Sequence, residues 1–331
     1  MKALVYQGEK TLEFGDVEAP CPDEGDLLVS IDSVGICGSD MHAFLGHDER
    51  RPAPLILGHE AAGVVMDGDL AGQRVTINPL VHCVSCPACS SGRQNICPDR
   101  QIISMPPREG AFAQQVAIPR SNVVAVPDDV SLEAASLTEP IACGWHATRL
   151  AGRASAVPLA DASVLVLGGG AIGVGAALSL RAAGVERVLV SEPNPVRRAF
   201  LGGDRGFVVT DSESISPDTQ FDVVIDAVGF AATRSQAVAQ VRPGGIIMHI
   251  GLGGWKGDFD FRRLTLQEIT FIGTYTYTPD DFRETAQAIF DGRLGALDWI
   301  ETRPLSEGQS AFEDILAGRA EAPKIVLKPE Y

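Results

Sequence analysis

Residues 163–192 read SVLVLGGGAIGVGAALSLRAAGVERVLVSE. An apolar, β-branched run leads into three glycines, then an apolar helical pattern, then a second apolar run. Strand, turn, helix and strand are expected in that order. Gly168, Gly170 and Gly173 keep the G-x-G-x-x-G spacing. The first permits a tight turn, the second lets backbone approach a pyrophosphate, and the third lets helix and strand pack closely. The helix opening at Ala171 and Ile172 offers free N–H groups and a positive dipole end to phosphate. Glu192 falls at the end of the second strand, where an acidic side chain accepts the hydroxyls of an adenosine ribose. A glycine triad alone is a weak signal, but this context makes it a dinucleotide site. The carboxylate favours NAD over NADP, with Arg197 and Arg198 near enough in sequence to accommodate a 2′-phosphate.

Working outward, further strands are expected at 207–210, 221–227, 245–250 and 270–273, with a helix near 231–241. These complete two βαβ halves of a doubly wound parallel sheet. Gly229 and Gly251 each end a strand at the carboxyl edge, where such sheets bind ligands. Upstream, residues 1–130 are β-rich, with short apolar runs between Gly, Pro and Asp punctuation, which suggests a small, partly open barrel or a pair of sheets. Helical patterning resumes at 131–150, interrupted at Glu139-Pro140. Downstream lie helices at 280–291 and 307–317 and a last strand at 324–328.

Two constellations point to metal. Residues 35–60, GICGSDMHAFLGHDERRPAPLILGHE, hold Cys37, His59 and Glu60. A soft thiolate and an imidazole suit zinc, and the third ligand is expected from Glu139 in TEPIACGWH. Three protein ligands leave one position open, which is the catalytic arrangement. Farther on, Cys83, Cys86, Cys89 and Cys97 follow the pattern C-x2-C-x2-C-x7-C. Four thiolates at that spacing close around one zinc ion as a structural site.

The composition is that of a globular protein, 45% apolar and 21% charged, and its 331 residues suit two domains. A net charge of −16 argues against nucleic acid or an anionic membrane surface as partner. No signal-peptide pattern or long apolar run is found, so a cytoplasmic location is expected. Seven cysteines in such a chain argue for metal over disulfides.

The motifs GICGSDxH, GHE, the four-Cys pattern, GGGAIG and SEPNPxRR together resemble the zinc-dependent medium-chain alcohol dehydrogenases, closest to the polyol and butanediol dehydrogenase branch. The resemblance covers essentially the whole chain. It implies a GroES-like β-barrel catalytic domain over 1–145 and 275–331, a Rossmann NAD-binding domain over 146–274, and an active site in the cleft between them. It implies catalytic zinc on Cys37, His59 and Glu139, with Glu60 beside the metal or in its coordination shell, and two zinc ions per chain in all. Asp40 matches a carboxylate that orients the liganding His, and Ser39 and His42 match a proton relay. Lys324 matches a basic residue that contacts the cofactor pyrophosphate. Phe112 and Tyr277 match walls of the polyol pocket. Ala43 and Thr276 depart from the sorbitol-type pattern, which leaves a secondary alcohol, another sugar alcohol or sugar acid, a diol or threonine as substrates. Relatives are dimers or tetramers. The competing class is a zinc-free quinone-reductase-like or NADH-binding structural protein, which lacks both metal constellations.

Overall fold

The structure is a computed structural model that describes residues 1–203, 205–257 and 259–331. The chain forms two compact units. One comprises Met1–Glu139, Thr278–Gly292 and Ile300–Tyr331; the other comprises Pro140–Tyr277 and Arg293–Trp299. The short return of 293–299 to the second unit is absent from the sequence expectation. There the Arg293 guanidinium carbon lies 5.7 Å from the centroid of the Trp145 ring, a cation–π contact.

The first unit begins with β1 (Lys2–Gly8), β2 (Thr11–Asp16), β3 (Asp26–Gly35), α1 (Gly38–Phe44), β4 (Leu55–Ile56) and β5 (Glu60–Val65). It continues through β6 (Arg74–Ile77), β7 (Leu80–Val81), α2 (Pro87–Ser90), β8 (Gln101–Ile102), β9 (Gln115–Pro119), β10 (Val123–Ala125) and α3 (Leu132–Ser136). Ser131 caps α3 by accepting from the Ala134 N–H. Helix α4 (Thr138–Ala154) follows at once. The helix break therefore falls at Leu137, not at Glu139-Pro140 as expected. Pro140 lies in the first turn of α4, where a missing N–H breaks no intrahelical bond.

The second unit holds β11 (Ser163–Leu167), α5 (Ala171–Ala182), β12 (Arg187–Ser191), α6 (Pro195–Gly202), β13 (Val208–Thr210), β14 (Phe221–Asp226), α7 (Ala231–Gln240), β15 (Val241–His249), α8 (Phe261–Leu266) and β16 (Thr270–Gly273). Its six strands are parallel, in the order β13-β12-β11-β14-β15-β16. That order reverses between β11 and β14, the topological switch point of a doubly wound sheet. After it come α9 (Pro279–Phe290), β17 (Ile300–Pro304), α10 (Gly308–Leu316) and β18 (Lys324–Lys328), which belong to the first unit.

In the first unit a three-stranded sheet, β2-β1-β4, accompanies a seven-stranded one ordered β10-β6-β5-β3-β18-β17, with β9 also on β3. Leu4, Ile31, Phe44, Leu57, Phe112 and Phe312 form its fully buried core. Two registers converge on the end of β3. There Gly35 pairs with Glu60 at the start of β5. On its other side Gly35 pairs with Val326 of β18. Two segments far apart in sequence thus reach one strand end.

Candidate active site

Cys37 stands directly before α1, and the Asp40 carboxylate reaches back to accept its N–H at 3.0 Å. That bond satisfies one of the donors a helix N-terminus leaves free. The same carboxylate, fully buried, accepts the Gly58 N–H at 3.3 Å and lies 3.4 Å from His59 Nδ1. One side chain therefore caps the helix and fixes the imidazole. With Nδ1 facing Asp40 and the Ser104 hydroxyl, 3.3 Å away, Nε2 is left to face a metal. Burial pushes the His59 pKa down, but Asp40 and Cys37 outweigh it and hold it well above its ordinary value. An incoming cation must displace that proton. Burial raises the Asp40 pKa, yet His59, Arg51 and the Cys37 N–H together keep it below the usual carboxylate range.

The ligand atoms of Cys37, His59 and Glu60 lie within 4.8 Å of one another. Glu60 is fully buried, and a Cβ on Gly35 would fall 2.1 Å from its Oε2, so only glycine leaves the carboxylate its place. Lys324 Nζ donates to Glu60 Oε1 at 2.7 Å and to the Ile36 carbonyl at 2.6 Å. It lies 2.6 Å from Oε2 as well, so the ammonium forms an ion pair with both carboxylate oxygens. A thiol, an imidazole and a carboxylate converging at this separation fit zinc.

Glu139 does not join this set of mutually close donors, although it is buried and its charge acts on Lys324. Three residues named by the resemblance are placed as follows. Lys324, expected on the pyrophosphate, is 3% exposed and engaged by Glu60 and Ile36. Phe112 is fully buried, edge-on to Phe312 at 6.0 Å. Tyr277 is also fully buried.

Ser39 Oγ lies 3.5 Å from His59 Nε2, at the edge of the cluster. His42 follows in the last turn of α1. Two residues without a sequence signal also belong here. Arg51, 3% exposed, pairs with Asp48 at 2.5 Å. It donates to the Ser104 carbonyl at 3.1 Å and reaches Ser39 Oγ at 3.5 Å. Ser104 takes a left-handed φ of +74° to set its hydroxyl against His59.

In the four-Cys loop, sulfur–sulfur distances are 3.5 Å (Cys86–Cys89), 3.5 Å (Cys83–Cys97) and 3.9 Å (Cys83–Cys89). Tetrahedral zinc with bonds of about 2.3 Å has edges of about 3.8 Å, so the loop is already zinc-shaped. Backbone N–H groups of Ser85 and Cys86 pull the Cys83 thiol down to about 6, while burial pushes Cys89 up to about 12. Cys83 thus supplies the first thiolate to an incoming cation.

In the second unit the glycine turn has its expected geometry. Gly168 has φ +99°, a conformation that L side chains rarely adopt. A Cβ on Gly173 would lie 1.8 Å from the Gly168 carbonyl oxygen, so the helix packs on the turn only with glycine there. Gly170 caps α5 with no side chain, and Val174 makes the first helical hydrogen bond. The N–H groups of Ala171, Ile172 and Gly173 precede it, at the terminus where donors lack intrahelical partners. Glu192 is buried, one oxygen accepting from Gly169 N at 2.9 Å and the other from Asn194 N at 2.8 Å. Arg197 Nη1 is 3.6 Å from Glu192, and its Nε is buried without a hydrogen-bond partner among the described residues. Gly251 lies so close to Val228 that a Cβ would fall 2.1 Å from the Val228 carbonyl carbon. An open helix terminus beside a buried carboxylate fits a dinucleotide.

Residues 23–128 match the family model of the alcohol dehydrogenase GroES-like domain, and residues 171–291 that of the zinc-binding dehydrogenases. The chain is also 33% identical over 313 residues to L-galactonate-5-dehydrogenase of Escherichia coli (strain K12), covering 89% of each chain. It belongs to the zinc-dependent medium-chain dehydrogenase/reductase family. The dehydrogenase is also 32% identical over 295 residues to L-idonate 5-dehydrogenase of Vitis vinifera, covering 82% of this chain and 78% of that one. Among solved structures it is similar to acetophenone reductase from Geotrichum candidum NBRC 4597 in complex with NAD. That match has a TM-score of 0.87 at 26% identity and covers 99% of this chain and 96% of that one. The dehydrogenase is thus an oxidoreductase of alcohols and ketones that uses zinc and a nicotinamide dinucleotide. It pairs a GroES-like domain with a Rossmann sheet. Among its described residues no helix is long and apolar enough to cross a membrane.

Proposed function

We propose that the dehydrogenase interconverts a secondary hydroxyl of a polyol or sugar acid with the ketone, using NAD. The observation that carries this reading is the convergence of the Cys37 thiol, the His59 imidazole and the Glu60 carboxylate within 4.8 Å of one another. Cys37, His59 and Glu60 would hold the zinc, which when bound would supply a Lewis acid for the substrate oxygen. NAD, held by the Gly168–Gly173 turn and Glu192, supplies the hydride acceptor. Arg197 and Gly251 flank the same edge. Asp40 keeps the His59 imidazole in one tautomer and orientation. The Ser39 hydroxyl would accept the alcohol proton as it releases its own toward His42 and solvent. Glu139, buried and close enough for its charge to act on Lys324, is the alternative carboxylate to Glu60 as the third zinc ligand.

NAD is favoured over NADP because Glu192 already faces Arg197, so a 2′-phosphate there would meet a carboxylate whose nearest cation is taken. Sugar acids are the favoured subset, since two relatives above 30% identity are named as 5-dehydrogenases of such acids. The loss of the sorbitol-type residues at Ala43 and Thr276 agrees with this.

A homo-oligomer, dimer or tetramer, is favoured by the edge of the second sheet. Among the described residues β16 pairs only with β15, and Phe271, Phe261, Leu266, Leu252 and Trp255 are exposed. An unpaired strand with that much apolar surface invites a partner. Seven free cysteines fit a reducing compartment such as the cytoplasm.

The test is a metal analysis with an activity panel. About two zinc ions per chain are expected, with NAD-dependent oxidation across aldonic acids, polyols and secondary alcohols. Cys37→Ser should keep the four-Cys zinc and lose activity. A zinc-free protein, or an active Cys37→Ser variant, would sink the reading.

A further inference from the structure

The carboxyl edge of the parallel sheet carries a pair of ionisable groups that the zinc and glycine motifs leave unexplained. Asp226 ends β14 and His249 ends β15, and the two are register partners. Asp226 Oδ1 accepts the N–H groups of Val228 at 3.1 Å and Gly229 at 2.8 Å. Its backbone carbonyl accepts those of Ile250 and Gly251, both at 3.0 Å. One residue therefore ties both turns that follow these strands. The turns are pressed together: a Cβ on Gly229 would fall 2.1 Å from the Gly251 carbonyl oxygen.

The second oxygen of Asp226 has no hydrogen-bond partner among the described residues. Oδ2 is buried and lies 3.7 Å from Nε2 of His249, which is buried and unpartnered in the same way. That distance is too long for a hydrogen bond and short enough for each group to feel the other's charge. Arg234 of α7 is the other charged group acting on His249, and it donates to the carbonyls of Gly229, Gly254 and Lys256. From β16 the neighbour is the uncharged ring of Phe271, 5.6 Å away.

The glycine turn and Glu192 belong to β11 and β12, the half of the sheet that takes the adenosine mononucleotide. The other half, led by β14 and β15, takes the nicotinamide mononucleotide. We propose that Asp226 and His249 are positioning residues that set the charge beneath the nicotinamide half. With His249 neutral the pair carries one negative charge and favours the cationic, oxidised nicotinamide over the neutral, reduced one. With His249 protonated the pair is neutral and the preference is lost. Burial and Arg234 hold the His249 pKa below its ordinary value against the pull of Asp226, so the negative state prevails at neutral pH. This inference rests on the dinucleotide reading of the second unit.

The experiment measures dissociation constants of NAD and NADH separately, by calorimetry and NADH fluorescence, from neutral to mildly acidic pH. The ADP moiety is common to both, so its titration cancels in their ratio. For the wild type the preference for NAD should fall by about fivefold as pH drops, the effect of one charge through partly screened protein. His249→Gln should hold the neutral-pH preference at every pH. Asp226→Asn should show the weaker preference throughout, and His249→Gln carries the test if that buried variant misfolds. A flat wild-type ratio, or a His249→Gln profile that still follows pH, would overturn the proposal while leaving the dinucleotide site standing. Failure of the wild type to bind either cofactor would remove both.

Discussion

Lys324 Nζ lies 2.7 Å from Glu60 Oε1 and 2.6 Å from Oε2, and both side chains are almost fully buried. The two residues are separated by most of the chain and meet because β18 and β5 flank the same end of β3. Burial alone would lower the Lys324 pKa, but Glu60 and Cys37 raise it above its ordinary value. The ammonium is therefore charged throughout the working range, with Glu60 as its counter-ion beside the metal cluster.

Removing one partner should cost more than removing both. Lys324→Met leaves a buried carboxylate unpaired, and a loss of about 3–5 kcal/mol is expected in chemical denaturation of the zinc-free protein. Glu60→Gln with Lys324→Met should recover much of it, since neither charge is then stranded. A double variant no more stable than the single one would show that the pair does not carry this energy.

The four-Cys loop contains a built-in strain. Val84, between Cys83 and Cys86, has φ +59° and is 74% exposed. A β-branched residue in that conformation is strained by about 1–2 kcal/mol. Val84→Asn keeps the geometry with a residue that tolerates it. Zinc release from this site to a chromophoric chelator should slow by about threefold or more, the conversion of about 0.7 kcal/mol. Cys97→Ser should instead lower bound zinc from about two ions to about one. A faster release in Val84→Asn would mean that the left-handed residue is not a cost.

The metal donors and the glycine turn were legible because each depends on residue type at short spacing. Cys37 and Asp40 sit three apart on one helix turn, Cys83 to Cys97 lie in one loop, and Gly168 to Gly173 in one turn. What sequence could not show was contact across hundreds of residues. That Lys324 meets Glu60 emerges only once β18 is laid against β3. The packing of Phe112 against Phe312 of α10 is likewise a contact between distant segments. Arg51 and Ser104 carry no motif at all, and they join the site only because the chain returns past His59. The same limit applies to Asp226 and His249, whose relation exists only in the register of two parallel strands.

The glycines of the turn should respond differently to one added methyl group. Gly173→Ala places a Cβ 1.8 Å from the Gly168 carbonyl oxygen, a backbone clash that the fold must move to relieve. The melting temperature should fall even without cofactor. Gly170→Ala meets no atom within 4 Å, and its φ of −76° suits any residue. The cofactor-free protein should melt as the wild type does, while NADH affinity falls about tenfold or more because backbone approach to the pyrophosphate is blocked. Equal melting losses in both variants would contradict the separate roles.

Asp222 supplies a pH-dependent lock on the second sheet. At the start of β14 its Oδ2 accepts the N–H and the hydroxyl of Ser163 on β11, both at 2.6 Å, and its Oδ1 pairs with Arg242 of β15. Burial raises its pKa, but the bonds from Ser163 and the charge of Arg242 outweigh that and leave it below the usual carboxylate value. A depressed carboxylate pKa stabilises the fold above the unfolded value, about 3.9, and the benefit disappears as pH falls through the lower folded value. Asp222→Asn should therefore cost about 2 kcal/mol near neutral pH, typical of hydrogen bonds to a charged group. The gap between wild type and variant in urea denaturation should close progressively as pH falls below about 4. A gap that persists unchanged into acid would assign the loss to packing at this corner and not to the ionised carboxylate.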